Sequence, residues 1–384
     1  MDIALFQNSP SGRLIRAVDG YWAFVPNPLP PQLDWDNPLV SLVSRADLAL
    51  GTLSGLGEAL PNPHLLIYPF IRREAVLSSR IEGTQSSLSD LLLYEATRVE
   101  KQRDVREVQN YVLAVEYGLK RLSELPLSLR LIRELHGILM KGVRGERATP
   151  GKFRESQNWI GVPGASLNDA VFVPPPVAEM QENLGQLEKF VNADIDLPPL
   201  LELALIHYQF EAIHPFLDGN GRIGRLLITL FLCQRGILTK PLLYLSAFFE
   251  RYRQEYYQYL LEVSQRGAWR QWIDFFLRAV VEQSGDAVQR ARRLLDLHLN
   301  YYQISLAKHL PPTAGQLVEL IFMRPVLNAR VAQEHLKVTF PAAQRAINAL
   351  EEEGILAEIT GGKRNKAYAA KEILKILEED ITLT

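Results

Sequence analysis

One stretch near the middle of the chain shows helical apolar periodicity on both sides of a single break. It reads LELALIHYQFEAIHPFLDGNGRIGRLLITLFLCQRG and covers residues 201–236. Apolar residues recur at helical spacing up to Ile213 and again from Ile223. Between these positions Pro215 and two glycines interrupt the pattern, because proline lacks an amide donor and glycine favours turns. The sequence therefore predicts a loop that leads into the N-terminus of a buried helix.

The chain up to about residue 298 is mostly helical in pattern, which predicts a mainly α fold. Helical spacing of apolar residues is present between 39 and 120, and it resumes from Val177 to about His298. Residues 1–40 are rich in proline, and we expect them to form an extended strap over the body. The segment NWIGVPGASLNDAVFV has two stretches of strand composition around a turn, so it predicts a β-hairpin.

The last part of the chain has a different order of elements. Three short helices are predicted in TAGQLVELIFM, NARVAQEHL and TFPAAQRAINALEEEG, and two short strands surround the Gly-Gly-Lys-Arg turn that follows. This order of helix, helix–turn–helix and β-wing is that of a winged-helix domain. From Pro311 onward there are nine Lys and Arg residues and ten Asp and Glu residues. Phosphate contacts supply most nucleic-acid affinity, so a domain with a near-neutral charge balance is a poor default binder of DNA. We therefore favour a protein-interaction or structural role and leave DNA binding open.

Composition limits the classes of function. With 384 residues, 47% of them hydrophobic, the chain is long enough for two or three domains with sizeable cores. A formal net charge of −2 gives no general attraction to nucleic acid or anionic membranes. The single cysteine, Cys233, allows no intrachain disulfide, and the N-terminus lacks the pattern of a signal peptide. No uninterrupted apolar run reaches the ~18 residues of a membrane span, so we expect a cytoplasmic protein with no membrane partner.

The loop between the two central helices is suited to hold phosphates. The first amides of a helix have no intrahelical partner and lie at the positive end of its dipole, so anions bind there favourably. Gly219 and Gly221 let a phosphate approach the backbone closely, and Asn220 can donate a side-chain hydrogen bond. Arg222 offers a forked donor to phosphate oxygens, and Arg225 lies almost one turn further on. We therefore predict a polyphosphate site at this loop.

Two further residues of the loop supply chemistry. Asp218 has the placement of the carboxylates that hold Mg²⁺ beside a nucleotide's phosphates. His214, with an ordinary pKa near ~6.5, can take a proton from a hydroxyl at neutral pH. Together with the phosphate site, they predict transfer of a phosphorus-centred group from a nucleotide to a hydroxyl. A His–His–Asp metal site that includes His207 is a weaker alternative, and a purely structural turn is another.

The loop HPFLDGNGRIGR resembles the Fic motif, HPFx(D/E)GNGRxxR, and matches it at every fixed position. Fic proteins typically transfer AMP from ATP to a Ser, Thr or Tyr hydroxyl of a target protein and release pyrophosphate. The resemblance implies that His214 deprotonates the target hydroxyl and that Asp218 holds Mg²⁺ between the α- and β-phosphates. The implied ATP-binding residues are Gly219, Asn220 and Gly221 for the α- and β-phosphates, Arg222 for the β-phosphate and Arg225 for the γ-phosphate.

A second motif supports the resemblance. SSRIEG, from Ser78 to Gly83, fits the family's inhibitory pattern (S/T)xxxE(G/N). Ser78 and Glu82 are four residues apart, so they share one face of a helix. Docking of that face beside the loop would aim Glu82 at Arg225, which removes the partner of the γ-phosphate and misplaces the α-phosphate. Because this motif precedes the Fic motif, the resemblance implies an adenylyltransferase of the N-terminally inhibited class, restrained by Glu82.

The resemblance extends over about residues 15–285 and implies further features. The predicted hairpin is similar to the family's flap, where a target segment can add as an extra strand. The segment FFERYRQEYYQYL lies where Fic proteins often supply an adenine contact, and Tyr257 is the residue that we select. The expected fold is a helical Fic core with a β-hairpin flap and a C-terminal winged helix–turn–helix domain. The expected domains are an N-terminal helical region with the inhibitory helix (1–100), a catalytic core (101–285), a connecting helix (286–310) and a winged-helix domain (311–384).

Two other functions stay open. One is a DNA-binding regulator in which the Fic fold senses a nucleotide, although a sensor needs neither the base His214 nor the acid Asp218. The other is removal of AMP from a modified protein at the same site, with Glu82 positioning water. We expect ATP as substrate with Mg²⁺, a target protein that bears a hydroxyl side chain, self-modification, and a homodimer as one way to regulate Glu82.

Overall fold

The structure is a computed structural model that describes residues 1–100, 104–143, 149–161, 164, 166–362 and 365–379. The described part of the chain is mainly helical with small sheets, which confirms the fold class expected from the apolar spacing. Most of its buried apolar side chains form one large core that extends from the N-terminal helices into the C-terminal elements, and Ala23, Ala170 and Val173 form a second, small cluster.

The first 36 residues differ from the extended strap that their prolines predict. Strands β1 (Gly12–Arg16) and β2 (Trp22–Pro26) pair as an antiparallel hairpin, with Leu14 opposite Phe24. The prolines stand before β1 or from the end of β2 onward, where a missing amide costs few ladder hydrogen bonds. The Phe24 ring packs against Phe172, with ring centroids 5.9 Å apart, so the hairpin covers the segment that contains the predicted flap.

Five helices follow the hairpin. The second of them, α2, ends at the stop that the sequence predicts, because Gly83 adopts a φ of 94°, a left-handed conformation that favours glycine. Among its buried residues are Glu74 and Ser78, so this helix is packed on a polar as well as an apolar face. The five are α1 (Asn37–Ala59), α2 (His64–Ile81), α3 (Leu88–Thr97), α4 (Val105–Arg121) and α5 (Leu129–Leu139).

Six helices make up the next part of the chain. The central stretch of the sequence forms α7 and α8, both buried along most of their length, with the HPFLDG segment between them. The six are α6 (Val177–Asn192), α7 (Pro199–Ile213), α8 (Asn220–Gln234), α9 (Ser246–Arg251), α10 (Arg253–Arg266) and α11 (Trp269–Ala307). The helix α11 is continuous over 39 residues, so the expected domain boundary at residue 285 lies inside it.

By length and composition alone, α1 is long and apolar enough to cross a membrane. Its most apolar window has a mean hydropathy of 1.3, and 33% of that window is buried inside the structure. Arg45 and Asp47 interrupt its apolar sequence, which is why no continuous apolar run marks it. The helix packs along α11, and its buried side chains include Leu39, Ala46 and Leu53.

The predicted β-hairpin between α5 and α6 is shorter than its composition suggests. Ile160 and Phe172 form a single antiparallel bridge, in which the Ile160 amide donates to the Phe172 carbonyl at 2.8 Å. The Val173 carbonyl accepts from the Phe24 amide of β2 instead, and three prolines that lack amides follow it. Residues 162, 163 and 165 of the predicted turn lie outside the described residues. The described part of the flap is therefore a bridged loop rather than two strands.

The C-terminal elements lie where the sequence predicts three helices and two strands. A third strand, β3 (Val326–Asn328), pairs with β5 (Ala367–Ala369), which also pairs with β4 (Ala357–Glu358). A further helix, α15 (Lys371–Glu378), follows this sheet. The sequence pattern predicted neither β3 nor α15, because each is short. Residues 363 and 364 of the predicted wing turn lie outside the described residues. The elements are α12 (Pro312–Met323), β3 (Val326–Asn328), α13 (Ala329–Leu336), α14 (Phe340–Glu352), β4 (Ala357–Glu358), β5 (Ala367–Ala369) and α15 (Lys371–Glu378).

Candidate active site

The loop between α7 and α8 is held in shape by Asn220. Its side-chain oxygen accepts from the Phe216 amide at 2.8 Å, and its side-chain amide donates to the Phe216 carbonyl at 2.8 Å. His214 ends α7 with a φ of 48°, and Gly219 precedes α8 with a φ of 81°. The sequence predicts Asn220 as a donor to phosphate, whereas in this structure its buried amide closes the loop on itself. The loop therefore presents a fixed turn to the N-terminus of α8.

The His214 imidazole is neutral and has a defined tautomer. Its Nδ1–H donates to the Glu211 carbonyl at 3.3 Å, which leaves Nε2 as the proton acceptor. Burial lowers the pKa of His214 to about 4, and the charge of Arg154 acts in the same direction. The ring is therefore unprotonated at neutral pH, as a general base must be.

Residues before α6 hold the backbone of the loop from outside. The Arg154 side chain is buried, and its Nε donates to the His214 carbonyl at 3.0 Å. The Asn158 side-chain amide donates to the same carbonyl at 3.1 Å and to the Phe216 carbonyl at 2.7 Å. These contacts fix the left-handed conformation of His214, which places its ring at the end of α7.

Asp218 lies at the rim of the loop, with 45% of its side chain exposed. Its Oδ1 accepts from the Gly219 amide at 2.6 Å, and its carbonyl accepts from Nε2–H of His136 at 3.0 Å. The Gly151 amide donates to Nδ1 of His136 at 2.9 Å, so that ring is neutral, and burial lowers its pKa to about 4. One exposed carboxylate beside a phosphate site suits Mg²⁺, which takes its other ligands from water and phosphate oxygens.

His207 does not contribute to a metal site. Its Nδ1–H donates to the Gly224 carbonyl at 3.2 Å, and its Nε2 accepts from the Tyr256 hydroxyl at 2.8 Å. Both ring nitrogens are therefore used inside the core. Across the described residues no group of three His, Cys, Asp or Glu side chains is arranged to hold a metal ion. The alternative of a His–His–Asp site finds no support in this geometry.

Arg222 lies in the first turn of α8 and is bound by a carboxylate from α4. Its Nη1 is 3.2 Å from Oε2 of Glu107, and both side chains are almost fully buried. Its Nη2 donates to the Met140 sulfur at 3.5 Å and lies 3.8 Å from Oδ1 of Asp218. Its Nε is buried and has no hydrogen-bond partner among the described residues. The guanidinium is thus fixed on one side and keeps an unused donor.

Arg225 is bound by the two motif residues of α2. Its Nε donates to the Ser78 hydroxyl at 2.9 Å, and its Nη2 donates to the Ser78 carbonyl at 2.9 Å. The same Nη2 donates to Oε1 of Glu82 at 2.6 Å. The structure therefore brings Ser78, Glu82 and Arg225 together, in the contact that the resemblance to the Fic family implies. Nη1 of this buried guanidinium has no hydrogen-bond partner among the described residues.

Gly221 makes room for this contact. A Cβ at this position would lie 2.3 Å from Oε1 of Glu82 and 3.0 Å from Nη1 of Arg225, so a side chain there would clash. Burial alone would raise the pKa of Glu82, but the charge and hydrogen bond of Arg225 outweigh it and lower that pKa. The Glu82 carboxylate is therefore ionised, and it occupies the space beside the first turn of α8.

Two more glutamates lie near Arg225, and sequence reasoning missed both. Burial raises the pKa of Glu211 to about 8, and its Oε1 has no hydrogen-bond partner among the described residues. Burial also raises the pKa of Glu74 to about 7, although the hydroxyls of Ser246 and Tyr111 donate to its Oε1 at 2.5 and 3.2 Å. Glu211 stands in a largely apolar helix, which is the signal that could have identified it, whereas Glu74 follows Arg72 and Arg73 and looks like part of a charged stretch.

Tyr257, the residue selected for adenine, lies beside the end of α2. Its hydroxyl donates to the Ile81 carbonyl at 3.5 Å, and the side chain is partly exposed. Burial raises its pKa to about 12, and the negative charge of Glu82 acts in the same direction. Tyr257 of α10 therefore contacts α2 at Ile81, the residue directly before Glu82.

The chain matches two family profiles in the part that builds this site. Residues 40–120 match the family described as Fic/DOC family N-terminal, and residues 126–232 match the Fic/DOC family. The first range contains Ser78, Glu82 and Glu107, and the second contains the α7–α8 loop. Both motifs described above thus lie within matched sequence.

Curated relatives agree with these matches. Over 202 residues, 51% of this chain, the sequence is 26% identical to the protein adenylyltransferase Fic of Drosophila grimshawi. It is 25% identical to the protein of the same name from Drosophila erecta over the same length. The chain covers 38% and 37% of these two proteins, so it spans less than two fifths of their length.

Two solved structures share the fold. A Fic family protein from Desulfovibrio desulfuricans G20 has a TM-score of 0.57 at 18% identity, over 89% of this chain and 98% of its own. Fic-1 (aa134 - 508) from C. elegans has a TM-score of 0.50 at 21% identity, over 68% of this chain and 75% of its own. At these identities the likeness concerns the fold. Together with the matched profiles, it shows a fold shared with Fic family structures, in which residues 40–120 are similar to the Fic/DOC family N-terminal domain and residues 126–232 to the Fic/DOC family domain.

Proposed function

We propose that this protein is an adenylyltransferase that transfers AMP from ATP to a Ser, Thr or Tyr hydroxyl of a target protein, and to its own hydroxyls. The observation that carries the proposal is a neutral imidazole, with Nε2 as its proton acceptor, on the loop before a helix N-terminus with two arginines. The curated relatives are named for this activity, which supports the assignment.

The transfer uses the loop residues in separate roles. The hydroxyl oxygen of the target forms a bond to the α-phosphorus, and the bond from that phosphorus to the β-phosphate oxygen breaks. Nε2 of His214 takes the hydroxyl proton, and pyrophosphate leaves. The amides at the start of α8, with Arg222 and Arg225, hold the phosphates. Asp218 would hold Mg²⁺, which supplies positive charge to the phosphates when it is bound.

Glu82 restrains the reaction in this proposal. Its carboxylate is 2.6 Å from Nη2 of Arg225, which is the donor assigned to the γ-phosphate. An ionised carboxylate and a phosphate cannot share this position, because their charges repel each other in a buried site. ATP that binds beside Glu82 therefore lacks its outermost partner, and the α-phosphorus is not aligned with the attacking hydroxyl.

The C-terminal elements have a structural role in this proposal, and we infer a winged-helix type from their order. The Asn328 side-chain amide donates to the Ala96 carbonyl at the end of α3, at 2.6 Å. Arg290 of α11 donates to the Ile376 and Glu379 carbonyls at the end of α15. The helices α12 and α15 also pack against α2, which carries Glu82. A shift of these elements would therefore disturb the inhibitory helix.

Labelled ATP tests the activity. The Glu82→Gly variant is incubated with ATP that carries radioactive phosphorus at the α or the γ position, with and without a cell lysate. We expect protein to acquire label from the α position alone, and His214→Ala in the same background to abolish it. Label from the γ position would mean phosphorylation and would contradict AMP transfer. Loss of AMP from a modified protein, without net incorporation, would support the reverse reaction.

A further inference from the structure

The two arginines of the loop are each bound by a glutamate from the N-terminal family domain. Glu82, which caps the C-terminus of α2, binds Arg225 at 2.6 Å, and Glu107 of α4 binds Arg222 at 3.2 Å. Both are charge-assisted contacts to residues of α8. The chemistry of the two pairs is the same, so their surroundings must decide whether each glutamate blocks the site or builds it.

The two glutamates differ in burial and in their position on a helix. Glu82 is the last residue before Gly83, whose φ is 94°, and 32% of its side chain is exposed. Glu107 lies in the first turn of α4, and 5% of its side chain is exposed. The helix α4 packs against α2, α5 and α8. Glu82 can therefore leave its arginine by unwinding one helix end, whereas Glu107 cannot leave without moving α4.

Arg222 keeps donors for a ligand while it is bound to Glu107. A guanidinium has five N–H donors, and Glu107 takes one of them, on Nη1. Nε is buried and has no hydrogen-bond partner among the described residues. A buried donor that no protein group engages is available to a ligand. An anion at the N-terminus of α8 is a suitable partner for it.

We propose that Glu107 is a positioning residue, which orients the Arg222 guanidinium toward the β-phosphate of a bound nucleoside di- or triphosphate. The proposal rests on the proposed function, in which Arg222 binds that phosphate. A planar guanidinium held at one edge keeps its other edge in a fixed direction. Without the Glu107 carboxylate, the buried Arg222 guanidinium would have the Asp218 carboxylate, 3.8 Å from its Nη2, as its remaining counter-ion, and it would turn toward that rim position.

Nucleotide binding in the Glu82→Gly background tests this role. The dissociation constants of ATP, ADP and AMP are measured by titration calorimetry, with ligand-observed NMR for AMP, with and without Glu107→Gln. We expect Glu107→Gln to raise the dissociation constants of ATP and ADP about tenfold or more, since a hydrogen bond to a charged group contributes roughly that factor. AMP has no β-phosphate, so its dissociation constant should change by less than about twofold.

Two further variants separate positioning from folding. Glu116→Gln changes a glutamate on the same helix, bound to Arg72 at 3.5 Å, and should leave all three dissociation constants unchanged. Glu107→Gln should add no further weakening in an Arg222→Gln background, because both changes remove the same contact. A melting temperature near that of the parent variant shows that α4 remains folded.

The alternative outcomes each overturn a different statement. If Glu107→Gln weakened the binding of ATP, ADP and AMP equally, Glu107 would be a structural residue and not a positioning one. Unchanged or tighter ATP binding would also overturn the proposal, and tighter binding would make Glu107 a second restraint beside Glu82. If the Glu82→Gly parent binds no ATP at all, the proposed function itself fails, and the role of Glu107 fails with it.

Discussion

The Glu82 carboxylate and the Arg225 guanidinium are 2.6 Å apart, although 143 positions separate them in the sequence. The contact joins the end of α2 to the first turns of α8. Burial would lower the pKa of Arg225, but the Glu82 charge outweighs that effect and raises it. Each charge therefore stabilises the other in a site that excludes most water. In the proposed function, this pair decides whether the loop is open to a triphosphate.

Glu82→Gly should raise the rate of AMP transfer. The change frees Nη2 of Arg225 from a charge-assisted hydrogen bond that is worth roughly 1.5–3 kcal/mol, which corresponds to about a ten- to hundredfold increase. Glu82→Gln keeps the shape but loses the charge, so its increase should be smaller. Label incorporation from α-labelled ATP measures both. Glu58→Gln, on the exposed side of α1, is the matched control, and an equal increase there would contradict this account.

Ser78→Ala should loosen the restraint without removing the Glu82 charge. The variant loses the bond from Nε of Arg225 to the Ser78 hydroxyl, at 2.9 Å, and keeps the bond to the carbonyl. We expect a loss of about 1–2 kcal/mol in unfolding free energy and a partial increase in transfer. Ser79→Ala is the matched control, because the buried Ser79 hydroxyl has no hydrogen-bond partner among the described residues. Urea denaturation and label incorporation measure the two effects, which should be absent in the control.

Glu211→Gln should change how stability depends on pH. The folded-state pKa of Glu211 is about 8, above its usual 4.5, so the folded protein binds a proton that the unfolded chain releases between these values. The stability from this group is fully present below about pH 4.5 and is lost as the pH rises through about 8.

Glutamine imitates the neutral acid, so the variant should melt higher than wild type at pH 9 and show no such gain at pH 5. The gain at pH 9 should be roughly 1–3 kcal/mol. Thermal denaturation at both pH values measures it, and Glu182→Gln, on the exposed face of α6, is the control. A gain of the same size at both pH values would mean that Glu211 is ionised throughout.

His214 should stay neutral well below the usual titration range of histidine. Burial lowers its pKa to about 4, so its ring should carry the Nδ1–H tautomer from pH 8 down to about pH 5. NMR of the protein with ¹⁵N-labelled histidine reports both the tautomer and the charge, and the spectrum of His214→Ala assigns the signal. A midpoint near ~6.5 would show a well-solvated ring and would contradict the lowered pKa of the base.

The local parts of the site could be predicted from the sequence, because their residues are close in the chain. The helix break at Pro215, the phosphate loop and the shared helix face of Ser78 and Glu82 follow from spacing alone. The resemblance to a known family then supplied the pairing of Glu82 with Arg225. No periodicity brings residue 82 to residue 225, since that contact depends on how α2 and α8 pack.

The residues that support the loop could not be predicted in this way. Arg154, Asn158 and His136 act on backbone carbonyls of the loop, and a backbone acceptor leaves no mark in the sequence of its partner. Glu107 looks like one charged residue among several in α4, and only the packing of α4 on α8 shows that it is buried. The N-terminal hairpin was missed because proline content suggested an irregular chain throughout.

The helix α11 continues without interruption from the N-terminal half of the molecule into its C-terminal elements. At 1.5 Å per residue its 39 residues span about 58 Å, and the helix packs against α1 and α7 as well as against α12 and α15 of the C-terminal part. No proline interrupts this helix, and Ser284 and Gly285 near its middle are the kind of pair at which a helix can bend. Because α11 contacts both parts, a displacement of the C-terminal elements would reach the N-terminal half through one continuous helix, with any bend expected at Ser284 and Gly285.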